Sequence, residues 1–431
     1  MPRPIAVDLF AGAGGMTLGF EEAGFDVLAA VEIDPIHCAA HEYNFPHCTV
    51  FCGDISQISG QAIRDNSPIK NQPIDVIFGG PPCQGFSLIG KRSLEDPRNA
   101  LVFHFIRLVR ELQPKYFVIE NVKGMAIGKH QNFIAEVIDK FDSCGYEVEP
   151  QYRVLDAAFY GVPQKRERLF LLGSDRDLPL PNYPEPITYP PNKKRLKKYQ
   201  HLPETPTVWD AIADLPKIEN YPQLRDRDWV RAKLGAPSPY AAILRGEIVP
   251  DDDFSYRRNC DRALLTCSLR TAHTQKSIAR FRNTLPGKTE PVSRFRKLDK
   301  QGLCNTLRAG TPTSRGAFTS PRPIHPELPR CITVREAARL HSYPDWFRFH
   351  GTKWHGFRQV GNSVPPLLAK AIAAEIIQRL GVSPVKPDCT INCGNDRLLY
   401  FDMTAAAAYY KVDRHIIKPR RRGLGSRELG D

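Results

Sequence analysis

The sequence predicts an α/β fold whose main layer is a parallel sheet, accompanied by a second, smaller domain. Three observations lead there. Strand-like and helix-like apolar patterns alternate through the first 173 residues; glycines, acids and a cysteine recur where the strand-like runs end; and the composition turns sharply to proline and lysine after Asp175.

The first strand is Ile5-Ala6-Val7-Asp8-Leu9-Phe10, followed by a turn with Gly12, Gly14 and Gly15, a helix to about Ala23 and a second strand, Val27 to Val31. Two strand–helix units in a row predict parallel strands joined by right-handed crossovers. Glu32 closes the second strand. A short apolar run, Cys48 to Cys52, precedes Gly53-Asp54-Ile55, and Ile74 to Phe78 reads as a fourth, buried strand. Leu101 to Leu112 carries apolar residues at helical spacing, with Asn99 as its cap, and stops before Pro114. Tyr116 to Ile119 then delivers Glu120-Asn121-Val122, and Leu169 to Gly173 reads as a further strand. Acids and a thiol at strand carboxyl ends face one crevice, which is where open α/β sheets bind ligands.

With 431 residues the chain has room for two domains. Its eleven cysteines lack paired spacing, and Met1-Pro2-Arg3-Pro4 runs straight into a strand without a secretory apolar segment, so a reduced, cytoplasmic protein is expected. No apolar stretch approaches the roughly twenty residues that span a bilayer, so membrane insertion is not expected. The formal charge is +13, and residues 257 to 308 hold thirteen Lys or Arg against Asp261, Glu290 and Asp299, a net of +10. That segment is expected to face a polyanion, with a plain solvated surface as the alternative. Phe281 and Phe295 within it are expected in a core. The predicted organisation is a first domain over 1–174, a second over 175–356, a helix over 357–382 and a tail over 383–431. Cys389 and Cys393 lack a second pair, so no metal site is expected.

The candidate chemistry sits on three turns. In Gly79-Gly80-Pro81-Pro82-Cys83-Gln84-Gly85-Phe86-Ser87, two prolines end strand pairing and mount Cys83 stiffly above the sheet edge as a candidate nucleophile. A buried structural cysteine is the alternative. The glycine turn lets a ligand approach the backbone, but its spacing is not the G-x-G-x-x-G of nicotinamide folds. Glu32 could accept hydrogen bonds from ribose hydroxyls and Asp54 could take an adenine amino group. Adenosine without a diphosphate cradle points to S-adenosylmethionine. Downstream, Gln164, Arg166 and Arg168 share one face if their segment is extended, a set suited to an acid, a phosphate or a base carbonyl.

The order of these pieces resembles the DNA (cytosine-5)-methyltransferase family in its bacterial restriction-modification form. The matching motifs are Asp8-Leu9-Phe10-Ala11-Gly12-Ala13-Gly14-Gly15, Glu32-Ile33-Asp34, Gly53-Asp54-Ile55, Pro81-Pro82-Cys83-Gln84, Glu120-Asn121-Val122, Gln164-x-Arg166-x-Arg168, Arg335-Glu336-Ala337-Ala338-Arg339-Leu340 and Gln359-Val360-Gly361-Asn362-Ser363-Val364. They cover residues 5 to 173 and about 304 to 380; residues 175 to 300 and the last fifty match no motif. The resemblance implies a class I S-adenosylmethionine-dependent methyltransferase sheet, Rossmann-like, as a catalytic and cofactor-binding domain over 1–174, with a smaller target-recognition domain over 175–356 and the helix over 357–382 returning to the first domain.

It also implies a reaction on cytosine C5. Cys83 would attack C6, Glu120 would protonate or hydrogen-bond N3, and Arg168, with Arg166 as a second candidate, would bind O2 and hold the carboxyl group. Cofactor contacts would come from Phe10, Gly12, Gly14, Gly15, Glu32, Ile33, Asp54, Ile55, Pro82, Leu101, Asn362 and Ser363. The partner would be double-stranded DNA, with the target base flipped out of the helix and the segment from Gln84 to Arg98 closing over it. A cognate restriction endonuclease would act on the same site without needing to bind, and the enzyme would be a monomer. A tRNA cytosine-5 methyltransferase and a non-catalytic nucleic-acid-binding regulator of the same fold are the alternatives.

Overall fold

The computed structural model describes residues 3–82, 100–126, 131–191, 193–310 and 322–417. Its centre is an eight-stranded sheet. The strands are β1 (Ile5–Leu9), β2 (Asp26–Glu32), β3 (Thr49–Cys52), β4 (Val76–Gly79), β5 (Tyr116–Val122), β6 (Tyr146–Val148), β7 (Arg153–Asp156) and β8 (Glu167–Asp175), in the order β3-β2-β1-β4-β5-β8-β6 with β7 also on β8. β1 to β5 are parallel, whereas β8 runs antiparallel to β5, β6 and β7. The order reverses between β1 and β4, and a crevice opens at such a switch point beyond the strands' carboxyl ends.

Alternate residues of each strand serve two cores. On one face Ala6, Val27, Phe78 and Val118 pack with Leu18 and Phe20 of helix α1 (Gly15–Ala23) and with Leu368, Ile372 and Ile376 of the helix Pro366–Leu380. α1 and that helix touch closely: a Cβ on Gly19 would lie 2.5 Å from Ala369 Cβ, so only glycine fits. On the other face Val7, Val31, Ile77 and Phe117 pack with α4 (Ala100–Leu112) and α5 (Gln131–Asp142). The helices α2 (Pro35–Asn44) and α3 (Gly60–Asp65) precede them in the chain, and Asp34 caps α2 by accepting from the Ile36 amide at 3.1 Å.

The sharp composition change after Asp175 does not end the first core. Val208, Ala211, Tyr240 and Leu244, and the segment from Ile332 to Phe349, bury with α1 and the sheet. Smaller cores form from Ile218, Leu224, Val230 and Leu265, and from Phe281, Ile324 and Cys331 with Phe295 against them. Much of the span expected as a separate domain thus leans on the sheet, because its apolar residues find their largest partner surface there. Phe281 and Phe295 do lie in a core.

The basic stretch divides in two. Arg257, Arg262, Lys276, Arg282, Arg294 and Arg296 are exposed. Lys297 is buried with its Nζ on the Phe281 carbonyl, 3.1 Å, and Arg258 is ion-paired to Glu21 at 2.9 Å with both side chains out of solvent. These two serve the interior, not a polyanion. In the described part of the tail, Thr390–Asn392 pairs with Arg257–Asn259, and the Tyr409 and Tyr410 hydroxyls each donate to Glu42 of α2 at 2.6 Å. Among the described residues no helix is long and apolar enough to cross a membrane.

Burial alone would raise the Glu21 carboxyl, but Arg258 and His47 outweigh it and hold the group at about 2. Glu21→Ala leaves a guanidinium buried without its counter-charge and is expected to cost about 3–5 kcal/mol in denaturant unfolding. The folded-state value is depressed, so the stabilisation is fully present above the ordinary carboxylate range and lost as pH falls toward 2. The gap between wild type and Glu21→Ala should shrink over that window.

Candidate active site

The carboxyl ends of β4 and β5 meet β8 at its beginning. Antiparallel pairing sets Val122 opposite Arg168 and Glu120 opposite Phe170, so Arg168 reaches diagonally to the carboxylate, and its Nε lies 2.7 Å from Glu120 Oε1. Both side chains are mostly buried. Burial pushes the Glu120 carboxyl above its ordinary range, with the charges of Arg168 and Arg166 pulling the other way. The chemistry available is a carboxyl group that can carry a proton, next to a cation that stabilises its anion.

The turn after β4 is built around this pair. A Cβ on Gly80 would lie 2.8 Å from Glu120 Oε2, so any side chain there must displace the carboxyl group. The Asn121 amide donates to the Pro81 carbonyl at 3.1 Å and ties β5 to the turn. Pro81 is buried and Pro82 exposed. Cys83 and the segment from Gln84 to Arg98 lie outside the described residues, as does Asn99.

Arg166 behaves differently from the expectation that it reaches the base. Its Nη1 donates to the Leu307 carbonyl at 2.8 Å and its Nη2 to the carbonyls of Gly361 and Ser363 at 2.9 and 2.8 Å. The side chain is 1% exposed. Its hydrogen bonds serve backbone carbonyls, so it braces the site and acts on Glu120 only as a nearby charge. β8 begins at Glu167, but the alternation continues upstream: Gln164 and Arg166 are buried and Lys165 and Glu167 exposed, as the shared face required.

At the neighbouring edge, Phe10 follows β1 at φ 63° and Gly12 lies at φ 56°, with open space where its Cβ would be. Gly12 N donates to Glu32 Oε2 at 2.8 Å, while Glu32 Oε1 accepts from the Ile33 and Asp34 amides at 3.0 and 2.9 Å. A carboxylate has about four acceptor sites, so one remains for a ligand hydroxyl. Gly14 and Gly15 are required from below: a Cβ on Gly14 would strike Phe45, and one on Gly15 would meet the Tyr343 hydroxyl at 2.6 Å and Ser363 Cβ at 2.8 Å. The structure therefore brings Gly12, Gly15, Glu32 and Ser363 together. Ile33 is exposed beside them and Asn362 exposed beside Ser363. Asp54 is exposed beyond β3, its Oδ1 accepting from Ser56 N. Ile55 is buried and Leu101 half-buried, both against the second core.

Under the glycine turn, Asp8 was read only as part of a motif, and its partners Thr17 and His41 escaped the sequence reading. Asp8 is buried within β1, Thr17 Oγ1 donates to its Oδ2 at 2.6 Å, and His41 Nε2 lies 3.0 Å from the same hydroxyl. Burial raises the Asp8 carboxyl well above its ordinary range and lowers His41 to about 3, so the imidazole is neutral. An acid inside an otherwise apolar strand was the available signal. A cavity of about 1260 Å³ elsewhere, along Leu18, Glu22, Trp346 and Lys370, is lined by none of the expected site residues.

Residues 6–378 match the model of the C-5 cytosine-specific DNA methylase family. The chain belongs to that family. It is similar to the Type II methyltransferase M.XorII of Xanthomonas oryzae pv. oryzae, 56% identical over 98% of this chain and 96% of the relative. M.DdeI of Desulfomicrobium norvegicum, another Type II methyltransferase, is 33% identical over 86% and 88%. A solved structure from E. coli, a prophage-encoded protein provisionally assigned as a DNA modification methyltransferase, superposes with a TM-score of 0.69 at 34% identity, covering 88% of this chain and all of that one. The methylase is thus a DNA cytosine-5 methyltransferase with the sheet of the S-adenosylmethionine-dependent enzymes.

In this methylase, Gly80→Ala places a methyl group against Glu120 Oε2. Displacement of the carboxyl is expected to lower kcat by about 10- to 100-fold, since small misplacements of a reacting group cost this much. Steady-state methyl transfer, with circular dichroism to confirm folding, checks it.

Proposed function

We propose that the methylase transfers a methyl group from S-adenosylmethionine to C5 of a cytosine everted from a specific duplex sequence, protecting host DNA from a cognate restriction endonuclease. The Glu120–Arg168 pair carries this reading, since it lies beside the Pro81-Pro82 turn and opens on the same edge as Gly12 and Glu32. The similarity to M.XorII supports the restriction-modification setting.

The pocket residues fit the cofactor. α1 has Gly14 at its N-cap, no side-chain cap and no acid in its first turn, so its amides suit a carboxylate. Glu32 keeps an acceptor site for a ribose hydroxyl. When bound, S-adenosylmethionine supplies an activated methyl on a sulfonium.

The chain's residues would act as follows. The Cys83 thiolate bonds to C6, and electron density moves toward N3, where the Glu120 carboxyl donates its proton. Arg168 steadies the carboxylate that results and faces O2. C5 would then take the methyl group, the sulfonium leaving as a neutral thioether; a base removes the C5 proton, the C6–sulfur bond breaks to return the thiolate, and N3 gives its proton back to the Glu120 carboxylate. Arg166 holds the frame. The exposed arginines between 257 and 296 would lie along phosphates, and a monomer suffices because one chain carries all of these groups.

Cys83→Ser is expected to abolish turnover while S-adenosylmethionine binding, followed by calorimetry, stays near wild type. The variant should also lose the covalent adduct with 5-fluorocytosine DNA that the wild type forms. Adduct formation by Cys83→Ser, or lost cofactor binding, would contradict the assigned role.

Burial of Glu120 keeps its acid form available to higher pH. Activity should decline as pH rises through that elevated value, and Glu120→Gln should remove this limb while lowering kcat by about 100-fold or more. A pH–kcat series on both proteins checks it.

A further inference from the structure

A closed ring of hydrogen bonds lies beneath the catalytic arginine and joins four separate parts of the chain. Leu307 N donates to Gln164 Oε1 at 3.0 Å, Gln164 Nε2 lies 2.9 Å from His341 Nδ1, and His341 Nε2 lies 3.1 Å from the Ser363 carbonyl oxygen. The ring returns through Arg166, which donates to both Ser363 O and Leu307 O. Gln164 and His341 are fully buried.

The donors and acceptors fix every proton. A carbonyl only accepts, so His341 Nε2 carries the hydrogen and Nδ1 is left as an acceptor. Gln164 Nε2 fills it. The amide orientation is set independently, because the Leu307 N–H requires an oxygen and the second Nε2 hydrogen goes to the Leu340 carbonyl at 3.1 Å. Protonating Nδ1 would set one N–H against another beside the Arg166 and Arg168 guanidiniums, and burial with these charges holds the imidazole neutral.

The surroundings aim the ring. Ser342 sits in the left-handed region at φ 65°, uncommon for a residue with a side chain, and this bend follows the helix Val334–Arg339. Tyr343 stacks on His341 at 5.9 Å between centroids, and its hydroxyl lies under Gly15. Gly361 touches the Arg308–Ala309 backbone so closely that any Cβ would collide with it. The turn at 361–363, the segment at 307–309 and the start of β8 are thereby one packed unit.

We propose that His341 is a positioning residue for methyl transfer, holding the Ser363 turn of the cofactor pocket against the segment that carries Arg168. The role rests on the assignment of Ser363 to that pocket. His341 touches no substrate atom and acts through Gln164 and Ser363.

His341→Leu keeps the bulk and removes both hydrogen bonds; His341→Gln can supply a donor and an acceptor again. His341→Leu is expected to raise KM for S-adenosylmethionine by about tenfold, the scale of buried partners left unpaired, with a smaller change in kcat. His341→Gln should recover most of the loss. Wild-type KM in His341→Leu, or equal damage in both variants, overturns the proposal. Should His341→Leu fail to fold, nitrogen NMR of histidine-labelled wild type decides: the Nε2–H tautomer, unchanged from about pH 5.5 to 8.5 and shifted on adding S-adenosylmethionine, is expected. A titrating signal, or the other tautomer, overturns it. Wild type that binds no S-adenosylmethionine would instead overturn the pocket assignment.

Discussion

The structure depends on keeping one carboxyl group buried, yet within 2.7 Å of a guanidinium, at the edge of a sheet. Removing a carboxylate from water disfavours its charge, while the neighbouring cation favours it, and Glu120 is left above the ordinary range by the balance. Such a balance is useful for a group that must hold a proton and then give it up. It also demands rigidity, because attraction across a low-dielectric gap changes steeply with distance. Gly80, the Asn121 tether and the Arg166 brace all serve that demand.

The antiparallel strand β8 is what makes the pairing possible. In an all-parallel sheet the residues before a strand lie at the amino edge, far from the crevice. Reversing β8 brings its first residues to the carboxyl ends of β4 and β5, so Gln164, Arg166 and Arg168 arrive where Glu120 already is. All three share one face, and the partners each meets along it separate their tasks. Arg168 faces the carboxylate, whereas Gln164 and Arg166 turn into the protein and bind backbone.

Much of this was legible in the sequence. The five parallel strands, the glycine turn and the acids at strand ends were visible because each local pattern has a short period and a distinct terminator. β6 and β7 were not, since Tyr146-Glu147-Val148 and Arg153-Val154-Leu155-Asp156 include charged residues and lack the uninterrupted apolar runs that mark the equally short β3 and β4. The role of Arg166 was misread for another reason: a guanidinium looks like a ligand-binding group until the carbonyls of Leu307, Gly361 and Ser363, 141 to 197 residues away, are seen to claim it. Asp8 was noted as part of a motif without its buried partners Thr17 and His41. Long-range partners of polar residues leave no trace in local spacing.

The same limit governs the charge. A net of +10 over residues 257 to 308 measured composition, and it could not tell Arg258, which neutralises Glu21 inside the protein, from Arg257 beside it on the surface. Arg258 lies in the strand Arg257–Asn259 that the tail strand Thr390–Asn392 joins, and the tail's tyrosines hold Glu42 on α2, the helix that follows Glu32. An exposed arginine on that strand is therefore mounted on a frame linked to the cofactor edge. The strand Arg257–Asn259 and α2 share support through the tail, just as the segment at 307–309 and the turn at 361–363 are joined through Arg166 and His341.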